Sequence, residues 1–144
     1  DEDYGGLGGY LEAAEITGCD RIRLIAISIL TSMSPESLAE IGIAGTIEEE
    51  VSRLASMSYA AGADGIVCSP QEAAGLRALL GPDALIVTPG IRPSGSDAGD
   101  QVRISTPSAA IAAGSSKLVI GRPICHANDP RAALDAIYSE LLGA

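Results

Sequence analysis

The chain has 144 residues and carries 19 acidic against 9 basic side chains, a formal net charge of −10. That balance excludes a nucleic-acid surface or an anionic membrane face as the main partner, because both need a basic patch. Hydrophobic residues make up 47% of the chain but include no Phe and no Trp, so the core must be built from Ile, Leu, Val and Ala.

The acidic start, Asp1-Glu2-Asp3, lacks the basic and then apolar regions of a signal peptide. The run Gly5-Gly6-Leu7-Gly8-Gly9 has the look of a phosphate-cradling loop. No strand precedes it and no Gly-Lys-Ser/Thr follows, so it reads as a flexible connection. One helix is expected around Tyr10 to Ile16.

Ile22 to Leu30 is β-rich, and its continuous apolarity predicts a strand buried on both faces. Ser34 before Pro35 reads as a helix cap with Pro at the first position. A longer helix is predicted to start at Thr46, where Glu49 completes a capping box. It should run to about Ala61 and bury Ile47, Val51, Leu54 and Met57 or Ser58, with Gly62 as its left-handed stop. Gly65 to Cys68 is a second strand, and Ser69-Pro70 opens a helix to about Leu80. Gly81-Pro82-Asp83 turns the chain into a third strand, Leu85 to Thr88. A short helix near Pro107 to Ala113 leads to the fourth, Leu118-Val119-Ile120, and Asp129-Pro130 caps a final amphipathic helix to about Leu142.

This alternation implies an α/β fold of parallel strands joined by right-handed crossovers. An open doubly wound sheet and a (β/α) barrel both satisfy it; very short strands ending in small or polar residues favour the barrel. A complete TIM-type barrel takes roughly 250 residues, so four units make half of one. Cys19, Cys68 and Cys125 are odd in number and widely spaced, which suits reduced thiols in the cytoplasm. With His126 the only histidine, a zinc site is not expected. No run of about 18 apolar residues occurs, so no membrane span is expected.

The chemistry should lie in residues 88–106, TPGIRPSGSDAGDQVRIST. Structureless connections beyond about 12–15 residues are uncommon in compact domains and often serve as lids or binding loops. This one holds Arg92, Gln101, Arg103 and three glycine hinges, Gly90, Gly95 and Gly99. A solvated surface loop is the bland account of the same residues. The fourth strand runs into Gly121-Arg122, where a glycine lets a ligand approach the backbone and the next side chain offers a fork of charged donors. In (β/α) barrels the loops after the last two strands commonly bind phosphate. Arg92 and Arg122 fit that role, although Arg122 could equally pair with an acidic neighbour. His126 is a weaker candidate, as general acid or as a solvated or capping residue. Glu48-Glu49-Glu50 needs no function beyond favouring a helix dipole.

Five ordered segments then carry a resemblance: Leu30-Thr31-Ser32-Met33, Asp64 to Ser69, Val87 to Pro93, Gly99-Asp100-Gln101 and Ile120-Gly121-Arg122-Pro123. From about Gly8 to Leu141 the chain resembles orotidine 5′-phosphate decarboxylases of the bacterial type. The resemblance implies a (β/α)8 barrel, usually a homodimer, that converts orotidine 5′-monophosphate to UMP and CO2 without metal or organic cofactor. It implies that Arg122 and the Gly121 backbone grip the 5′-phosphate. Gln101 and Arg92 would belong to a loop, residues 88–106, that closes over phosphate and pyrimidine, and Thr31 would lie near the substrate.

One departure is severe. The family's proton donor is a Lys in an Asp-x-Lys-x-x-Asp motif on the third barrel strand, and no Asp-x-Lys occurs here. The only lysine, Lys117, directly precedes the expected last strand. Residues 1–144 are therefore expected to form the C-terminal part of one barrel, strands five to eight, and to be inactive as a decarboxylase alone. Two other readings stay open: a non-catalytic phosphate- or nucleotide-binding half-barrel, and a relative acting on a sugar-phosphate keto acid. Half a barrel leaves two strand edges exposed. A further N-terminal portion is the simpler way to cover them, and self-pairing of two chains is the other.

Overall fold

The computed structural model describes residues 22–93 and 104–143. The glycine run at 5–9 and the helix expected over 10–16 lie outside them. Four strands are present: β1 (Ile25–Ile27), β2 (Gly65–Val67), β3 (Leu85–Thr88) and β4 (Lys117–Leu118). Among them run the helices α1 (Pro35–Glu40), α2 (Ile47–Ala60), α3 (Ala73–Leu80), α4 (Pro107–Ala112), α5 (Arg122–Cys125) and α6 (Pro130–Leu142).

All strand pairs are parallel, and the sheet order is β1-β2-β3-β4. A doubly wound sheet reverses its order at a switch point, whereas this one advances monotonically. With right-handed crossovers, that order puts every connecting helix on one face, as in a barrel wall. The core lies between the sheet and those helices: Ile66, Cys68 and Ile86 pack with Leu38, Val51, Ala55, Ala73 and Leu76. Gly65 permits the close approach of β2 to β3, because a Cβ there would lie 2.6 Å from the Leu85 carbonyl carbon and closer still to its oxygen.

Local chemistry accounts for most helix starts. The Ser34 hydroxyl accepts from the Ser37 amide, and Pro35 follows at the first helical position. Thr46 and Glu49 form the reciprocal box, with bonds of 3.1 and 2.8 Å. Asp129 accepts from the amides of Arg131 and Ala132, both at 3.0 Å.

Several expectations need correction. β1 is not buried on both faces: Ile27 is 67% exposed, and no strand pairs with the outer edge of β1 among the described residues. Its apolar run marks a surface that needs covering rather than one that is covered here. The helix expected from Ser69-Pro70 starts only at Ala73, because the Glu72 carboxylate takes the Ser69 amide at 2.7 Å and holds 69–72 as a turn. Met57 faces solvent instead of the core. β4 covers Lys117–Leu118 rather than 118–120, and the short helix α5 follows in a stretch to which the sequence reading assigned no element.

Candidate functional site

In an all-parallel sheet every strand end points the same way, so the loops after β1, β2, β3 and β4 share one rim. The Val119 amide donates to the Thr88 carbonyl at 2.9 Å, which pins the ends of β3 and β4 side by side. Arg92 leaves this junction four residues after Thr88, and Gly121-Arg122 leave it two and three residues after Val119. Thr31 sits on the same rim but at the far side of the sheet, in a turn closed by the Met33 amide on the Leu30 carbonyl (2.9 Å).

The base of the long loop is an ordered structure. Ile91 and Ser105 form a parallel bridge; the Arg92 amide donates to Ser105 O at 2.8 Å and the Ser105 amide to Gly90 O at 3.4 Å. This clamp joins the two described flanks of the 88–106 connection. Gly90 is buried with φ 78°, a left-handed turn that favours glycine. Arg92 is only 8% exposed, and its Nη1 donates to the Ile91 carbonyl at 2.8 Å. At its base, therefore, the loop is not the solvated surface segment of the bland account. Beneath the junction, the Thr88 and Ser115 hydroxyls meet at 2.7 Å, both buried.

Gly121 and Arg122 are exposed, and a Cβ on Gly121 would meet nothing within 4 Å, so space stands open beside that backbone. Arg122 opens α5, and His126 ends it, with its amide on the Arg122 carbonyl at 3.0 Å. The His126 side chain is exposed, as a capping residue would be. Gln101 and Arg103 lie outside the described residues. Lys117 is the first residue of β4 and exposed. It lies four positions before Gly121, about 13 Å of extended chain.

Several buried polar residues gave no individual signal in the sequence. Ser69, just past β2, is fully buried, and its hydroxyl and that of Ser28 find no partner among the described residues. A groove of about 460 Å³ opens nearby, lined by Ser32, Ser34, Thr46, Gln71 and Glu72 among others. Among the described residues no cluster of three His, Cys, Asp or Glu could hold a metal ion. No helix among them is long and apolar enough to cross a membrane.

Residues 3–137 match the family described as "Orotidine 5′-phosphate decarboxylase / HUMPS family". The chain belongs to this family. It is 48% identical over 132 residues to an orotidine 5′-phosphate decarboxylase of Rhodopseudomonas palustris, covering 92% of this chain and 56% of the relative. A Marinomonas protein of the same name is 56% identical over 118 residues, which is 82% of this chain and 50% of the relative. Among solved structures, orotidine 5′-phosphate decarboxylase from Lactobacillus acidophilus superposes with a TM-score of 0.72 at 42% identity, over 86% of this chain and 51% of that one. An uncharacterized conserved protein from Geobacillus kaustophilus gives 0.70 at 32% identity, over 87% and 51%. The chain thus spans about half the length of the curated relatives it matches. Its four-stranded sheet is a half-barrel of the TIM type.

Proposed function

We propose that this chain supplies the phosphate- and pyrimidine-binding half of an orotidine 5′-phosphate decarboxylase. Arg122 and the Gly121 backbone take the 5′-phosphate. Arg92 and Gln101 act from the 88–106 loop, which closes over phosphate and base, and Thr31 lines the substrate from the opposite side of the rim. The observation that carries this reading is the junction of β3 and β4, where the Val119 amide meets the Thr88 carbonyl. From it, the buried Arg92 and the open Gly121-Arg122 backbone depart side by side. Charge-assisted hydrogen bonds contribute roughly 1.5–3 kcal/mol each, enough for two arginines to hold a phosphate dianion on a protein of net charge −10.

Decarboxylation also needs repulsion against the leaving carboxylate and a proton for the carbanion. The family resemblance implies that an Asp-x-Lys-x-x-Asp segment supplies both, and this chain contains none. Lys117, set before the strand end instead of at the rim, is no substitute. The 144-residue chain alone is therefore an acceptor of orotidine 5′-monophosphate and UMP without turnover. A cytosolic location goes with this reading, since Cys68 and Cys125 are in no disulfide among the described residues.

The test is calorimetric titration with UMP, beside an assay of orotidine 5′-monophosphate loss. Binding of UMP that falls with Arg122→Ala, and no turnover, supports the reading. Turnover by the chain alone, or UMP binding indifferent to Arg122, overturns it. A sugar-phosphate keto acid that binds more tightly than UMP would favour the other branch of the family.

A further inference from the structure

Of the four strands β4 is the shortest, yet it carries the Gly121 backbone to the rim. It gives the ladder only two residues, Lys117 opposite Val87 and Leu118 opposite Thr88. A slip of one residue would shift it by about 3.3 Å and turn its side chains to the other face. Gly121 and Arg122 follow Leu118 by three and four positions, so an error in the placement of β4 passes straight to them. A phosphate site tolerates little of that, since its geometry has to be held within about 0.5 Å.

Thr88 holds this strand at both ends. Its hydroxyl meets that of Ser115, two residues before β4, at 2.7 Å, and its carbonyl accepts the amide of Val119, the residue after β4, at 2.9 Å. Along β3, Thr88 shares a face with Ile86, which belongs to the helix-covered core, so the Thr88 side chain lies behind the sheet. It is fully buried, and Ser115 nearly so. Packing alone does not call for two hydroxyls there. Replacing both partners of a buried hydrogen bond by apolar groups of the same shape can be close to neutral in stability. What the bond adds is a fixed distance and direction, which apolar contact does not impose.

We propose that Thr88 is a positioning residue for the phosphate site: bonded to Ser115 and to Val119, it fixes where Gly121 and Arg122 stand relative to Arg92. The inference deepens the proposed function and rests on it. Thr88 touches no ligand itself, and Ser115 is the second member of the device. Two segments take their place from this one residue. Arg92 leaves it four residues on along the chain, and the other segment is bonded to it before and after β4. Arg92 is also tied down by its amide on the Ser105 carbonyl at 2.8 Å. A shift of β4 therefore moves Gly121 and Arg122 and leaves the Arg92 backbone in place, which spoils their spacing.

The experiment titrates UMP and uridine into the chain and its variants, at a temperature where each is folded. The preference for UMP over uridine should fall about fivefold or more in Thr88→Val and in Ser115→Ala, while uridine affinity stays within about twofold. Thr88→Ser keeps the hydroxyl and should keep the preference. The double change, Thr88→Val with Ser115→Ala, separates position from stability. It should cost less stability than the two single changes summed, yet restore none of the preference. Val51→Ala, a truncation on α2 in the core, should lose stability and keep the preference. If Thr88→Val does not fold, Ser115→Ala carries the test. The parent's preference persisting in these hydroxyl variants would overturn the inference, and so would an equal fall in Val51→Ala. A parent that binds UMP and uridine alike, or whose preference survives Arg122→Ala, defeats the proposed function and this inference with it. A parent that discriminates through Arg122, beside Thr88 and Ser115 variants that do so equally well, defeats the inference alone.

Discussion

The guanidinium of Arg77 donates from Nε and Nη2 to the carbonyl of Gly114, at 3.1 and 2.9 Å, and so ties α3 to the turn between α4 and β4. Its Nη1 serves the carbonyls of Gly81, Pro82 and Ala84 at 2.8, 2.9 and 2.8 Å, and Nη2 also reaches the Ser116 hydroxyl at 2.7 Å. One side chain thus satisfies the carbonyls of two turns at the end of the sheet away from the candidate site. Arg77→Ala strips several acceptors of their donor at once. We expect a loss of about 2–4 kcal/mol in urea unfolding, with UMP contacts themselves untouched. Arg77→Lys should recover only part of it, since one ammonium cannot span both turns.

Gly65 is the second stability prediction. A Cβ there would come 2.6 Å from the Leu85 carbonyl carbon, and backbone cannot yield as a side-chain tip does. Gly65→Ala must push β2 away from β3. A drop of about 2–4 kcal/mol, or failure to fold, is expected by thermal and urea unfolding. A variant as stable as the parent would show that the strand spacing is looser than described.

The buried hydroxyl pair of Thr88 and Ser115 allows a cleaner test. Thr88→Val leaves the Ser115 hydroxyl without its partner, at a cost of about 1–3 kcal/mol. Removing both hydroxyls, as Thr88→Val with Ser115→Ala, should cost less than the two single changes summed. Simple additivity would mean that the hydroxyls do not act as a pair.

Much of this was legible in the sequence, and the rest was not for identifiable reasons. The Thr46–Glu49 box, the Ser34-Pro35 start and the Asp129-Pro130 start are local chemistry, complete within four residues, and each stands where the sequence puts it. Arg92 and the Gly121-Arg122 pair could be flagged because a long loop and a strand-end glycine are visible in one dimension. Arg77 could not, since its partners are backbone carbonyls up to 37 residues away and any residue type supplies those. The clamp of Ile91 on Ser105 is equally silent in the sequence. β1 was misjudged because apolarity reports what a strand requires, not whether these residues provide it.

Acid should weaken the starts of α1 and α2. Glu36 is held below the ordinary carboxylate range by a hydrogen bond from the Ser34 side chain. The Thr46 amide does the same for Glu49, and the Arg53 guanidinium for Glu50. Each folded pKa lies below the unfolded one, so in acid the unfolded chain binds more protons. The stability these groups contribute is full above the ordinary glutamate pKa, near 4.3, and is lost as pH falls through the folded values. The urea midpoint should therefore fall on acidification below about pH 5, and Glu49→Gln should flatten that fall. High salt should shrink the Glu50–Arg53 part, whose Arg53 side chain is exposed. A Glu49→Gln profile that runs parallel to the parent's would count against the box as its source.

The most direct test of the phosphate assignment compares UMP with uridine, which differ only in the group that Arg122 is held to grip. Titrated into the 144-residue chain, UMP should bind at least about tenfold more tightly than uridine, and Arg122→Ala should erase most of that difference. Equal binding of UMP and uridine, or a preference for UMP that survives Arg122→Ala, would contradict the account.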